Sequence, residues 1–160
     1  MTVTTIEIDA FLADSVVVAE GKIYAQGAGW NVINAARVPT RHDRIGIGFI
    51  IRVPYTATNQ DHNFELRLED ADGSRMTFGD NPEGEGRIEA LGGQFNVGRP
   101  PTLKPGDEQV VPFAVNINGL SFEKAGNYRF VISIDGDDTK ELPFRLMLIQ
   151  QPRPIIKTAE

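Results

Sequence analysis

The chain has 160 residues, a length that suits one domain with a sizeable core, and its 41% hydrophobic and 24% charged residues are an ordinary soluble mixture. Its net charge of −6 argues against sequence-independent binding to nucleic acid or to an anionic membrane surface, since both need a basic field. It has no cysteine, which excludes disulfides, thiolate nucleophiles and Cys-ligated metal centres and fits a reducing compartment.

The first residues, Met1 to Asp9, lack the basic and apolar regions of a signal peptide, and no apolar run approaches the roughly 18 residues that cross a bilayer. A cytoplasmic location without membrane contact is the expectation. Ile6, Ile8, Ala10 and Leu12 alternate with Glu7, Asp9, Phe11 and Ala13, the period of two that marks a half-buried strand. Asp14-Ser15 interrupts it and Val16–Val18 continues it. Glu20-Gly21 turns the chain, and Lys22–Gln26 returns as a hairpin. Gly27 and Gly29, just before the only tryptophan, Trp30, point to a bulge or a close backbone approach. Residues 31–43 read as irregular, with Pro39 and the charged cluster Arg41-His42-Asp43-Arg44.

From Arg44 to Val53 the alternation is clearest. Ile45, Ile47, Phe49, Ile51 and Val53 share one face; Gly46, Gly48, Ile50 and Arg52 share a thin, flat one. Pro54 ends this strand. After a polar connection, Phe64, Leu66 and Leu68 alternate with charged residues up to the turn Asp70-Ala71-Asp72-Gly73, and Arg75–Phe78 is a short strand. An acidic loop over residues 79–87 is expected to be mobile. A strand region over Ile88–Val97 is interrupted by Gly92-Gly93, and a Pro-rich connector leads to Val111, Phe113, Val115 and Ile117, with Pro112 outward. Leu120–Ala125 is read as one short helical turn.

The last hairpin is the strongest signal. Tyr128, Phe130, Ile132 and Ile134 point one way, Asp135-Gly136-Asp137-Asp138 has turn chemistry, and Leu142, Phe144, Leu146 and Leu148 return. Pro143 cannot donate to a ladder and marks an edge or a bulge. Gly126-Asn127-Tyr128 resembles the tyrosine corner of Greek-key sandwiches, with Phe122 placed to pack beneath it. The fold expected is all-β: an immunoglobulin-like or jelly-roll β-sandwich of about nine or ten short antiparallel strands over residues 1–149. A polar, Pro-containing tail follows over 150–160.

No catalytic constellation stands out. Ser15, Ser74, Ser121 and Ser133 lack a Gly-x-Ser-x-Gly elbow, and Gly27-Ala28-Gly29 lacks the Lys and the helix of a phosphate loop. The two histidines, His42 and His62, with Asp43 and Asp61 beside them, would hold a metal only if the fold united them. Asp70, Asp72, Asp135, Asp137 and Asp138 would form calcium loops only if both turns met at one end of the sandwich; the alternative is that Asp and Gly are what tight turns use. Trp30, with Tyr24 and Tyr55, is either an aromatic contact for a sugar or protein partner, or a core residue. Arg41, His42, Arg44 and Arg99 are candidates for a basic rim facing an acidic partner.

Three segments carry a resemblance: Ala13–Lys22 leading to Trp30, Val97–Pro101, and Gln109–Leu120. Together they resemble a family of bacterial proteins of unknown function, seen mainly in actinobacteria and of similar length. The resemblance implies a single domain and brings no activity, cofactor or site residue. The function expected is a non-enzymatic protein-interaction or assembly module without cofactor, binding a protein partner or itself through Pro-managed edges and the flat Gly46/Gly48/Ile50 face. The alternative is a sandwich that binds carbohydrate or calcium through its acidic end loops.

Overall fold

A computed structural model describes residues 5–80 and 82–150. They form eleven strands and one 3-10 turn, Tyr55–Ala57. The strands are β1 (Glu7–Ala13), β2 (Ser15–Ala19), β3 (Lys22–Gln26), β4 (Val32–Ala35), β5 (Thr40–Pro54), β6 (Asp61–Asp70), β7 (Arg75–Met76), β8 (Leu91–Asn96), β9 (Glu108–Phe122), β10 (Gly126–Ile134) and β11 (Asp137–Leu148). One sheet has the order β1-β5-β9, all antiparallel. The larger sheet has the order β4-β11-β10-β6, and β6 is flanked on its far side by β7 at one end and β8 at the other. β2 and β3 form a separate two-stranded ribbon.

The two sheets pack face to face, and the period of two decides what lies between them. Ile45, Ile47, Phe49, Ile51 and Val53 of β5 are all 0% exposed, as are Leu66, Leu68, Phe130 and Ile132 from the opposite sheet. Phe49 stacks on Phe113 at 5.2 Å and tilts against Phe64 across the core at 6.1 Å. At the other end, the Tyr128 hydroxyl donates to the Lys124 carbonyl oxygen, and Phe122 meets the Tyr128 ring edge-on at 5.0 Å. The tyrosine corner is thus present, with Phe122 beneath it. No helix among the described residues is long and apolar enough to cross a membrane.

Several local expectations need correction. Residues 31–43 are not irregular: β4 runs parallel to the end of β11, with Val32 opposite Arg145 and Ala35 opposite Leu148, and β5 begins at Thr40. Four residues are too few for periodicity to declare a strand, and the parallel partner lies more than a hundred residues away. Leu120–Ala125 is not a helical turn, because pairing with β5 carries β9 on to Phe122, opposite Thr40. Asp137 and Asp138 are not turn residues: Asp135 (φ 51°) and Gly136 (φ 86°) make the whole two-residue loop, and Ile134 pairs directly with Asp137. The loop over residues 79–87 is closed at its base, where Phe78 N–H donates to Ile88 and Ile88 N–H to Gly79, beneath an Asp80–Arg87 bridge. Pro112 and Pro143 do sit on strand edges. β9 ends its sheet, and β4 covers β11 only from Arg145 onward. The C-terminal tail lies outside the described residues from 151 on.

Candidate functional site

The flat face of β5 is not open. A Cβ on Gly48 would come within 2.4 Å of the Phe11 ring, so the glycine is there to let Phe11 lie across the strand. At Gly46 the Cβ would stand 2.9 Å from a Val16 methyl, so this glycine makes room for the start of β2. Both glycines are buried. The candidate surface therefore shifts from this face to the element that covers part of it.

That element is the β2–β3 ribbon. Glu20 (φ 51°) and Gly21 (φ 71°) form the two-residue turn that matches strand twist. Val16, 1% exposed, anchors the ribbon, and Asn116 of β9 clamps it: the Asn116 amide oxygen accepts from Val16 N–H at 3.0 Å and Nδ2 donates to the Val16 carbonyl at 2.8 Å. Beyond Val16 the ribbon leaves the body. Val17 and Tyr24 are direct cross-strand partners, and each is 55% exposed; Val18 is 38% exposed. A two-stranded ribbon standing alone is marginally stable in water, so its exposed apolar pair calls for an explanation.

The outer face of the larger sheet carries a closed ionic network. Arg67 forks onto Asp138 at 2.8 and 2.7 Å, gives Nε to Glu69 at 2.7 Å and reaches Ser133 Oγ at 3.0 Å; Ser133 donates onward to Asp138 at 2.7 Å. Arg129 binds the other oxygen of Glu69. The hydrogen bonds from Arg67 and Ser133 hold Asp138 down at about 2, and those from Arg67 and Arg129 keep Glu69 below the usual range despite its burial. A groove of about 470 Å³ lies alongside, lined by Glu65, Arg67, Arg75, Ser133 and Asp138, and its charges are already paired with one another.

His62 is the one buried histidine, 5% exposed on the inner face. Its Nδ1 lies 2.7 Å from Asp135 Oδ2 and its Nε2 lies 2.7 Å from the Ala57 carbonyl oxygen. Neutral imidazole has one N–H and would set a lone pair against one of these acceptors, so both contacts are hydrogen bonds only when the ring is imidazolium. Burial alone would lower its pKa. The hydrogen bonds to Asp135 and Ala57, with the charges of Asp135 and Asp61, outweigh burial and raise it. Asp135 is lowered by the same bond and by Asn63 N–H.

The remaining candidates are dispersed. Asp70 pairs with Tyr128 at one end of β10, while Asp135 follows its other end, where its N–H donates to Asn63. Seven strand residues, about 23 Å, separate the two turns, so they cannot share one ion. Asp70 Oδ1 accepts from Asp72 and Ser74 N–H, and Asp138 is taken by Arg67. Among the described residues, no three His, Asp or Glu side chains could hold a metal ion together. His42 and His62 are likewise apart, near the start of β5 and beyond its end. Arg41 fills the space beside Gly119, whereas Arg99 sits at the opposite end, 3.9 Å over the Tyr55 ring and bonded to Thr58 and the Tyr55 carbonyl. No single basic rim forms. Trp30 packs half-buried against the core, 6.3 Å from His42, and its buried Nε1 has no partner among the described residues. Gly27 has the expected close approach, to Asp14, but nothing crowds Gly29. Ser133 and His62 lie on opposite faces of the sheet and form no nucleophile–base pair. Sequence reading missed the Arg67 network and the His62–Asp135 pair; the one available signal was the outward position of Arg67 and Ser133 on their strands.

These features define a two-sheet all-β sandwich with a projecting ribbon. Within that class, the chain belongs to a family of unknown function (DUF6941), whose model matches residues 8–147. No curated protein matches the sequence. Among solved structures it is similar to the Pseudomonas fluorescens alkylpurine DNA glycosylase AlkC bound to DNA containing an abasic site analogue, at 12% identity and a TM-score of 0.41, over 88% of this chain and 30% of that one. It is also similar to β-glucosidase from Listeria innocua in complex with glucose, at 10% identity and a TM-score of 0.40, over 92% of this chain and 16% of that one. The chain spans less than a third of either protein.

Proposed function

We propose that this protein is a non-enzymatic interaction module that engages another protein chain through the β2–β3 ribbon. The observation that carries the reading is the Val17–Tyr24 pair, apolar, cross-strand matched and half exposed on a ribbon anchored only at its base. Apolar surface of this kind is stabilised when a partner removes it from water, and tyrosine is enriched at interfaces because it has an apolar body and a polar tip. The ionic network of the outer face supports the same reading indirectly, since its acids and bases are engaged with each other and offer a substrate little free charge.

The test is a photo-reactive phenylalanine analogue placed at Tyr24 in the full chain and irradiated in its own cells. Val110, 56% exposed on β9, serves as the equally exposed control position. A defined protein adduct from position 24 and none from position 110 is the expected result. No adduct from position 24, or equal adducts from both, overturns the reading.

A further inference from the structure

Resting on that reading, the geometry points to a second copy of this chain as the partner, joined by antiparallel pairing of β3 with β3 about a two-fold axis through Tyr24. The hydrogen-bond alternation of the ribbon decides which groups are free. Val16 turns its N–H and C=O away from β3, toward Asn116. In an antiparallel pair, residues directly opposite each other either exchange both bonds or direct both outward, and the two kinds alternate. Val16–Ala25 and Val18–Ile23 are therefore outward pairs, while Val17–Tyr24 and Ala19–Lys22 bond within the ribbon. On β2 the outward groups of Val16 are already taken by Asn116. On β3 those of Ile23 and Ala25 have no backbone partner among the described residues.

An edge that presents peptide groups of two alternate residues is complementary to itself. With Tyr24 on the axis, Ile23 lies opposite Ala25 of the second copy and exchanges both bonds with it, and the symmetric pair does the same, for about four new backbone bonds. Tyr24 meets its own counterpart in the closer type of pair, with Cα atoms about 4.5 Å apart. The result is a four-stranded sheet with a continuous Val17–Tyr24–Tyr24–Val17 stripe on one face, which removes the apolar pair from water. Glu20 and Lys22 are the only charged residues over 15–26, and the axis sets Lys22 opposite Gln26, so no like charges meet. Three of the other edges are blunted: β9 carries Pro112, β11 carries Pro143, and β4 has four residues.

Sedimentation velocity of the full chain over a wide concentration range tests the pairing. The expected result is a concentration-dependent species of twice 17.6 kDa. Tyr24→Lys, and separately Ala25→Pro, which removes an outward N–H unused within the chain, are expected to leave only monomer with an unchanged melting temperature. In this cysteine-free chain, Tyr24→Cys is expected to form an intermolecular disulfide on mild oxidation, because the expected Cα spacing suits one, while Val110→Cys forms no such link. A wild type that stays monomeric at every concentration, with Tyr24→Cys linking no faster than Val110→Cys, overturns the pairing. In that case an adduct from position 24 with a different protein keeps the interaction reading and replaces the second copy as partner, whereas no adduct removes both.

Discussion

Replacing Asp135 with asparagine tests the buried imidazolium with little collateral change. Asparagine tolerates the left-handed backbone at this position, and Asn-Gly is itself a preferred two-residue turn, so the hairpin is kept. The amide oxygen can still accept from Asn63 N–H, now 2.9 Å from Asp135 Oδ1. What disappears is the negative charge beside His62 Nδ1, 2.7 Å away. A hydrogen bond to a charged group contributes about 1.5–3 kcal/mol. The His62 side chain is 6% exposed but that of Asp135 is 45% exposed, so solvent screening favours the lower end, about 1.5 kcal/mol.

The pH dependence separates this from a merely structural loss. The folded pKa of His62 is raised above 6.5, so its contribution is fully present below that value and is lost as pH rises through the folded pKa. The folded pKa of Asp135 is lowered from 3.8, so its contribution is present above that value and is lost as pH falls through the folded one. The pair therefore stabilises most between about pH 4 and 6.5. Once His62 is neutral, the introduced amide can donate to Nδ1 while Nε2–H still reaches Ala57, and the variant should match the wild type. Urea denaturation at about pH 5.5 and about pH 9 is the assay, with an expected cost of about 1.5 kcal/mol at the lower pH shrinking toward zero at the higher. The equivalent thermal shift is about 3–6 °C for a chain of this size. The chain has one other histidine, His42, and the same curves on His42→Gln serve as the control. An equal loss at both pH values would refute the imidazolium assignment.

Arg67→Met should be the most costly of the polar changes. It leaves Glu69, a carboxylate with its side chain 9% exposed, with Arg129 alone, and is expected to cost about 3 kcal/mol or more in urea denaturation; adding Glu69→Gln should recover part of that loss. Gly48→Ala drives a methyl into the Phe11 ring and should cost about 1–3 kcal/mol, with Phe11→Ala in the same chain giving less than the sum of the two single changes. Tyr128→Phe removes the corner hydroxyl and should cost about 1 kcal/mol at constant denaturant slope. Calcium, with EDTA as control, should leave the melting temperature unchanged, because the acidic turns are at opposite ends of β10; a rise in melting temperature would contradict that placement.

What the sequence made legible was decided by local strength of pattern. β5, β6, β10 and β11 each bury a run of alternate residues, and there every second residue declares itself, although Leu148, expected inward with Leu142, Phe144 and Leu146, is 51% exposed; the tyrosine corner closes within four residues and was equally plain. β4 was invisible because it has four residues and its partner in sequence lies past residue 144. The ends of β9 and β11 were misread for a related reason. Gly126 and Asp137-Asp138 carry turn chemistry, yet ladder pairing with β5 and β10 extends the strands up to them.

The same distinction governs the site. His62 and Asp135 are 73 residues apart, and Arg67 and Asp138 are 71 apart, so each pairing depends on β6 and β10 being neighbours in register. Nothing local distinguishes these groups from the other charged residues that alternate outward. The ribbon is the opposite case. Its turn, its register and its Val17–Tyr24 pairing follow from a twelve-residue stretch, and only the Asn116 clamp needed the fold. That clamp fixes how the ribbon presents its other edge. A free hairpin could slip or pair by either edge, whereas a ribbon bound at Val16 has one edge engaged, its alternation fixed and Tyr24 held at the centre of the other. Asn116→Ala should therefore act on association more than on the core: the melting temperature should change little, because Asn116 is exposed, while the concentration needed for the β3-paired species rises as the edge loses its fixed orientation. A large drop in melting temperature with association intact would mean that the clamp serves the sandwich and not the edge.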